Sequence, residues 1–353
     1  MKELPSVDTP FMLDFLTGLL NTPSPTGFTD DAIGYTEQAL SRFPFLELSR
    51  TRKGALVATW PGEREDSPRA LTAHTDTLGA MVKEIKSNGR LKLTKVGGFP
   101  WNTVEGEGCT VFLRDGSIVR GSLLLTKASV HVYGKDVGET ARDDDNMEVR
   151  LDARTTSADE THDLGIGVGD FVAFDPRVEV IAGFVRSRYL DDKACIANIV
   201  AAVKAMHDTG MKPAQRTTIL ISNYEEVGHG AATGFPDDLA ELVAVDMAAV
   251  GDGQTSDEFH ATLCVKDSGG PYHHGLNQCL RHLAEEHDIP HKVDIYPHYG
   301  SDGEAYWRAG GDVAVALIGP GVDASHNYER THTEALQATT NWVLAYLLAD
   351  SSN

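Results

Sequence analysis

Apolar positions along the chain follow a helical rhythm at both ends and a β rhythm in the middle. Phe11, Leu13, Phe15, Leu16, Leu19 and Leu20 approximate one helical stripe, with Asp8 or Thr9 as its N-cap. A second helix follows the loop from Asn21 to Gly27, which Pro23 and Pro25 stiffen. Short apolar runs at 55–60 and 69–73 predict strands, and the second leads straight into His74, Thr75 and Asp76.

From Ala80 to Pro176 short β-rich segments, among them 110–113, 117–125 and 170–174, lie between Gly and Asp turns. That spacing with little helix predicts a small barrel or sandwich. Alternation of helix and strand resumes at Tyr189, with a helix from Asp191 to about His207, strands at 217–222 and 242–245, and a closing helix ending near Leu348. The expected architecture is an α/β domain formed by 1–79 and 177–353, interrupted by a β-rich domain at 80–176.

Charge narrows the function classes. The 353 residues carry 52 Asp and Glu against 31 Lys and Arg, a formal charge of −21. Binding to nucleic acid or to an anionic membrane surface rests on clustered Lys and Arg, so neither partner is expected. Four cysteines, Cys109, Cys195, Cys264 and Cys279, show no paired spacing, too sparse a set for a secreted disulfide scaffold. The start of the chain has no basic region leading into an apolar stretch, and no run of about 18 apolar residues occurs. The expectation is a cytoplasmic protein.

Four places put acidic or imidazole groups where a strand ends or a helix begins, the position at which open α/β sheets hold ligands. These are His74 with Asp76, Asp191 with Asp192, Glu225 with Glu226, and Asp246. Each alone could be a cap or a solvated turn; four together are hard to assign so. Two like charges about 4 Å apart repel by roughly 4 kcal/mol at an effective dielectric of 20, a repulsion that divalent cations remove. Carboxylates plus imidazole without thiolate suit zinc, cobalt or manganese. Two ions sharing one carboxylate would need one further histidine, and His326 in a loop and His332 at a helix start both qualify.

Nine blocks in order resemble family 42 of the metallopeptidases, the dinuclear aminopeptidases that include glutamyl aminopeptidases and tetrahedral (TET) particles. They are PSPTG (23–27), AHTDTLGAMV (73–82), GRLKLTKVGGFPW (89–101), LGIGVGDFVAF (164–174), LDDK (190–193), YEEVGHGA (224–231), VAVDM (243–247), GSDGEA (300–305) and ERTH (329–332). The resemblance implies a mixed-sheet three-layer aminopeptidase domain, phosphorylase/hydrolase-like, with an inserted small β-barrel or PDZ-like dimerisation domain. It further implies two divalent ions per subunit, zinc first and cobalt or manganese as alternatives, and a homo-oligomer in which dimers build a dodecamer.

Carried over by residue, the family pattern makes Asp191 the shared carboxylate. His74 and Asp246 complete one ion, and Glu226 and His332 the other. Glu225 is then the general base, Asp76 orients the His74 ring, Ser301 and Asp302 adjoin the substrate, and the Asp191–Asp192 peptide is cis. The chain departs from the pattern at Thr77, at the shortened turn holding His229, and in the block from Arg330 to Glu334. The wording SHNYERTH is similar to that of a bacterial subgroup associated with making N-acetylglutaminylglutamine amide.

The implied activity is release of N-terminal residues from peptides. A deacylase acting on small N-acyl substrates would use the same site, and a non-catalytic oligomeric scaffold is the reading from another class.

Overall fold

The computed structural model describes residues 3–350. The chain forms two compact units, one from the residues up to Asp76 and from Arg177 onward, the other spanning Thr77–Pro176. The first break falls three residues before the one drawn from sequence, because the strand Gly79–Ile85 belongs to the β-rich unit.

The larger unit holds a mixed sheet of nine strands among the described residues. Its order is Glu47–Arg50, Leu56–Trp60, Gln215–Ser222, Arg64–His74, Glu241–Val245, Ala314–Val322, Ala261–Lys266 and His291–Ile295, with Ala248–Ala249 paired to Ala314–Val322. The four strands from Gln215–Ser222 to Ala314–Val322 in that order run parallel and in register, with Ser222 opposite His74 and Val245 opposite Ile318. Their carboxyl ends therefore line one edge of the sheet. The unbroken apolar run Leu242, Val243, Ala244 and Val245 is buried throughout, as a central parallel strand covered on both faces requires.

Helices cover both faces. Ala70, Leu242, Ala244, Val315 and Leu317 share a core with Tyr272 and Tyr296, against which Tyr306 and Trp307 of the helix Asp302–Arg308 pack. The alternate residues Leu71, Val243, Ala316 and Ile318 are buried toward the opposite layer, where the helices Leu190–Thr209 and Thr333–Leu348 pack on each other and on the sheet. Leu190–Thr209 is buried around most of its circumference, so its sequence lacks a polar face. Asn198 joins the two helices by donating its Nδ2 to the Leu336 carbonyl at 2.8 Å and to Thr340 Oγ1 at 3.0 Å.

Asp8 proves to be the first helix's cap, its carboxylate accepting the Phe11 N–H at 3.1 Å. At the other end of Thr9–Leu20, the buried Lys193 ammonium donates to the carbonyls of Leu19 (3.0 Å) and Thr22 (2.7 Å). Burial lowers its pKa to about 7. The loop that follows is then fixed to the sheet edge by Ser24 Oγ on the Thr75 carbonyl (2.7 Å) and Thr26 Oγ1 on the Asp76 carboxylate (2.6 Å).

The smaller unit is a closed barrel of six antiparallel strands, in the order Gly79–Ile85, Leu91–Val96, Met147–Leu151, Ile118–Leu125, Gly108–Phe112 and Phe171–Phe174. Of the two shapes the spacing allows, it is the barrel. Leu123 and Leu125 alternate with less buried neighbours, as a one-sided core dictates. Gly121 permits close strand approach, since a Cβ there would stand 2.8 Å from both the Arg150 carbonyl oxygen and Val149 Cγ1. Two short helices, Val130–Tyr133 and Asp136–Glu139, separate two of the strands, and Val130, Val132 and Tyr133 are exposed. No helix among the described residues is long and apolar enough to cross a membrane.

At the opposite end of the central strands, Arg69 is 1% exposed and bonds Glu241 at 3.1 Å and the carbonyls of Tyr346 and Ala349 at 2.9 and 2.8 Å. Tyr346 donates its hydroxyl to the same Glu241 oxygen at 3.0 Å. Removing one member of a buried pair strands the other charge, at a cost of about 3–5 kcal/mol. Arg69→Ala should lower unfolding stability by that amount in a denaturant titration; a loss below about 1 kcal/mol contradicts this reading.

Candidate active site

The parallel topology assembles the site from strand ends. His74 ends one strand, Glu225 and Glu226 follow Ser222 after two residues, and Asp246 follows Val245. Asp191 begins the central helix, entered through Tyr189 in the left-handed region (φ 73°) and followed by a cis peptide to Asp192.

Two sets of donor atoms come together: His74, Asp191 and Asp246, and Asp191, Glu226 and His326, each set lying within 4.8 Å of one another. Asp191 belongs to both and divides its oxygens between them. Oδ1 stands 3.0 Å from His74 Nε2, and Oδ2 stands 3.5 Å from His326 Nε2, which is 3.6 Å from Glu226 Oε2. Ligand atoms around a tetrahedral zinc with bonds of about 2.0 Å stand about 3.3 Å apart, so these separations fit the ion. Asp246 Oδ1 is buried with no hydrogen-bond partner, as expected of an oxygen reserved for a cation. Glu225 lies at the edge of this group, 3.8 Å from His74 Nε2.

The last histidine is His326 and not His332. His332 ends the strand Glu329–His332 and caps the closing helix, its Nδ1 accepting the Glu334 N–H at 3.2 Å. Its ring packs between Phe184 and Phe259, centroids 4.8 and 5.2 Å away, and over Gly183, where a Cβ would meet the imidazole at 2.2 Å. The sequence placed His332 at a helix start, whereas it ends a strand paired with Phe184–Ser187, and His326 is the histidine brought to the cluster.

Asp76 also acts differently from expectation. The His74 ring is oriented by the Asp76 backbone carbonyl, 2.9 Å from Nδ1, and the carboxylate lies farther off at 3.6 Å. A carbonyl only accepts, so Nδ1 carries the proton and Nε2 faces the cluster. The buried Asp76 carboxylate instead accepts the N–H groups of Glu225 (3.0 Å) and Glu226 (3.2 Å), fixing the turn that carries both.

Ser301 and Asp302 are buried and committed elsewhere. Asp302 accepts from Thr72, Ser222 and the Ala231 N–H at 2.5–3.0 Å, while the Ser301 hydroxyl meets Tyr272 at 2.7 Å. Ser301 stands at the N-cap of the helix Asp302–Arg308 without a side-chain cap bond. Asp192, paired with Asp191 in the sequence but given no role there, accepts the His74 N–H at 3.1 Å; unforeseen are Tyr299, whose hydroxyl donates to the Met247 carbonyl at 2.8 Å, and Glu329.

The electrostatics are those of carboxylates held together without cations. Burial, then repulsion from Asp191, raises Glu226 to about 8 and Asp246 to about 7. Burial, reinforced by Asp246, pushes Glu225 well above the usual carboxylate range. Burial opposes the charge on His74, but Asp191, Glu225 and Asp192 outweigh it and hold its pKa well above the ordinary value.

This arrangement defines a class: an α/β protein whose candidate metal site is built from carboxylates and imidazoles at parallel strand ends. The chain matches the M42 glutamyl aminopeptidase family over residues 54–342 and belongs to it. It is an aminopeptidase of the metallopeptidase class. Among its relatives, YhfE of Bacillus subtilis (strain 168), a protein named as a candidate aminopeptidase, is 47% identical over 336 residues, covering 95% of this chain and 96% of that one. The glutamyl aminopeptidase of Lactococcus lactis subsp. cremoris (strain MG1363) is 27% identical, with 81% and 82% coverage. In fold, the chain is similar to the Pyrococcus horikoshii TET1 peptidase, described as able to assemble into a tetrahedron or a large octahedral shell, with a TM-score of 0.81 at 21% identity over 96% of this chain and 99% of that one.

Raised carboxylate and histidine pKa values stabilise the fold at low pH, and that contribution is lost as pH rises through the folded-state values. Chelator-treated protein should therefore show a falling thermal midpoint between about pH 5 and pH 8, and added zinc should suppress the fall. A midpoint that is flat or rises across that window without metal contradicts the site's electrostatics.

Proposed function

We propose that this chain is a two-metal aminopeptidase that releases N-terminal residues from peptides, with Glu225 as its general base. The observation that carries this reading is Asp191, whose two oxygens face two separate sets of donors. His74, Asp191 and Asp246 would hold one divalent ion, and Asp191, Glu226 and His326 the other. Such ions, zinc by the donor set and cobalt or manganese as alternatives, supply Lewis acidity toward water and the peptide carbonyl.

The chain's own groups do the rest. Glu225 stands beside the cluster without belonging to either donor set, so its carboxylate is free to take a proton from the attacking water and return it to the departing amine. Proximity of the other carboxylates and burial raise its proton affinity, which suits a base that must hold the proton between the two steps. Asp76 keeps Glu225 at this distance by receiving its N–H. A free α-amine, positively charged at neutral pH, is attracted to a site with this excess of carboxylates, which favours peptides over N-acylated substrates.

We assign the enzyme to a reducing cytoplasm, since Cys109, Cys195 and Cys264 are buried free thiols and Cys279 is a half-buried one. We also assign it a homo-oligomeric state of dimers building larger shells, supported by its likeness to the TET1 fold and by the exposed apolar Val130, Val132 and Tyr133 of the barrel unit.

Glu225→Gln should retain bound metal while turnover of aminoacyl p-nitroanilides falls by about 10²–10⁴-fold; an active variant contradicts the assignment. The wild-type protein should cleave those anilides and leave N-acyl amino acids intact, and the reverse preference would make it a deacylase. Sedimentation as a stable monomer would refute the oligomer.

A further inference from the structure

The residues that carry the site are held by three buried carboxylates that lie outside it. Asp76 receives the N–H groups of Glu225 and Glu226, Asp192 receives that of His74, and Glu329 receives those of Asp191 and His326. Glu329 differs from the other two in what it joins. Oε2 accepts from Asp191 at 3.0 Å and Oε1 from His326 at 3.0 Å, across 138 and 3 residues of sequence. The residue is 2% exposed.

His326 needs such a hold. It lies on no regular element, and its backbone is in the left-handed region (φ 63°), where a residue other than glycine costs energy unless its surroundings fix it. The strand Glu329–His332 pairs with Phe184–Ser187, so Glu329 starts from a rigid position, with Ser187 directly across. From there one carboxylate reaches both the shared residue and His326 in its turn.

The geometry points to Glu329 as a positioning residue that sets the distance between Asp191 and His326, and so completes the donor set of Asp191, Glu226 and His326. This rests on the two-metal reading above. A carboxylate is required because both partners donate: an amide of the same shape offers one acceptor oxygen and turns its NH₂ toward the other N–H. Glu329→Gln therefore breaks one of the two bonds at constant volume. Glu329→Asp keeps both acceptors but shortens the reach.

The test is metal titration of the chelator-treated protein, with bound zinc counted by mass spectrometry and the thermal midpoint read with and without metal. Wild type should bind two ions per subunit. Glu329→Gln should bind the first ion as wild type does and the second about 10–100-fold more weakly, the scale for losing a group that supports a ligand. Glu329→Asp should lie between them, and the metal-free midpoints should stay close to wild type. In a His326→Ala background, where the second donor set is already broken, Glu329→Gln should change zinc binding by less than about 2-fold. Normal binding of both ions by Glu329→Gln overturns the inference while leaving the two-metal reading intact. Failure of either variant to fold without metal also overturns it, by making Glu329 a folding residue. A wild-type protein that binds fewer than two ions sinks the two-metal reading itself.

Discussion

Repulsion among buried carboxylates is the constraint on which the rest of the structure depends. Asp191, Glu225, Glu226 and Asp246 share one small volume with Asp76, Asp192 and Glu329 directly behind them. Asp191 has ligand oxygens within 4.8 Å of those of Asp246 and Glu226, where two like charges repel by roughly 3–4 kcal/mol at an effective dielectric of 20. The chain meets this in two ways. Outer carboxylates accept backbone N–H groups, fixed donors with no side-chain entropy to lose, although Asp192 Oδ1 is left without a partner. Inner ones are left with open oxygens, Asp246 Oδ1 most plainly, that only protons or cations can satisfy. The same N–H bonds that make the outer ring tolerable also fix the backbone of the inner one, so stability and geometry come from a single set of interactions.

The fold supplies the frame that resists the repulsion. Four parallel strands deliver three of the inner groups to adjacent positions with no freedom to spread, because each strand is paired on both sides. The central helix brings Asp191 in from the opposite layer. Lys193, two residues further on, ties that helix to the end of Thr9–Leu20 and so to the loop whose Thr26 supports Asp76. A chain of hydrogen bonds thus runs from the helix through the N-terminal loop to the turn carrying Glu225. The links are buried or partly buried, which makes them stronger and makes their loss more costly.

Much of this was legible in sequence where chemistry coincided with a regular element. His74, Asp191, Glu226 and Asp246 follow apolar runs or open a helix, and the structure brings them together. The β texture of the middle third signalled the barrel, though composition could not choose between barrel and sandwich. Failures occurred where position depends on tertiary pairing. His332 looked better placed than His326 because it adjoins a helix; only pairing of Glu329–His332 with Phe184–Ser187 turns it toward Phe184 and Phe259 and leaves His326 at the cluster. The buried hydrogen bonds of Ser301 and Asp302 were likewise not legible, because their partners Tyr272, Thr72, Ser222 and Ala231 lie 29 to 230 residues away. Glu329 carries no local signal, since its value lies in joining two segments that sequence separates by 138 residues. The net charge of −21, first an argument against nucleic acid, separates into this compensated cluster and a larger surface excess.

The central claim is that Asp191 is shared between two cations, with His326 on one side and His74 on the other. Anomalous diffraction from crystals of the zinc-loaded enzyme at the zinc absorption edge tests it most directly. The account predicts two peaks about 3.5–4 Å apart flanking the Asp191 carboxylate, one beside His74 and Asp246 and one beside Glu226 and His326. A single peak, or a second ion bound through His332, would contradict it.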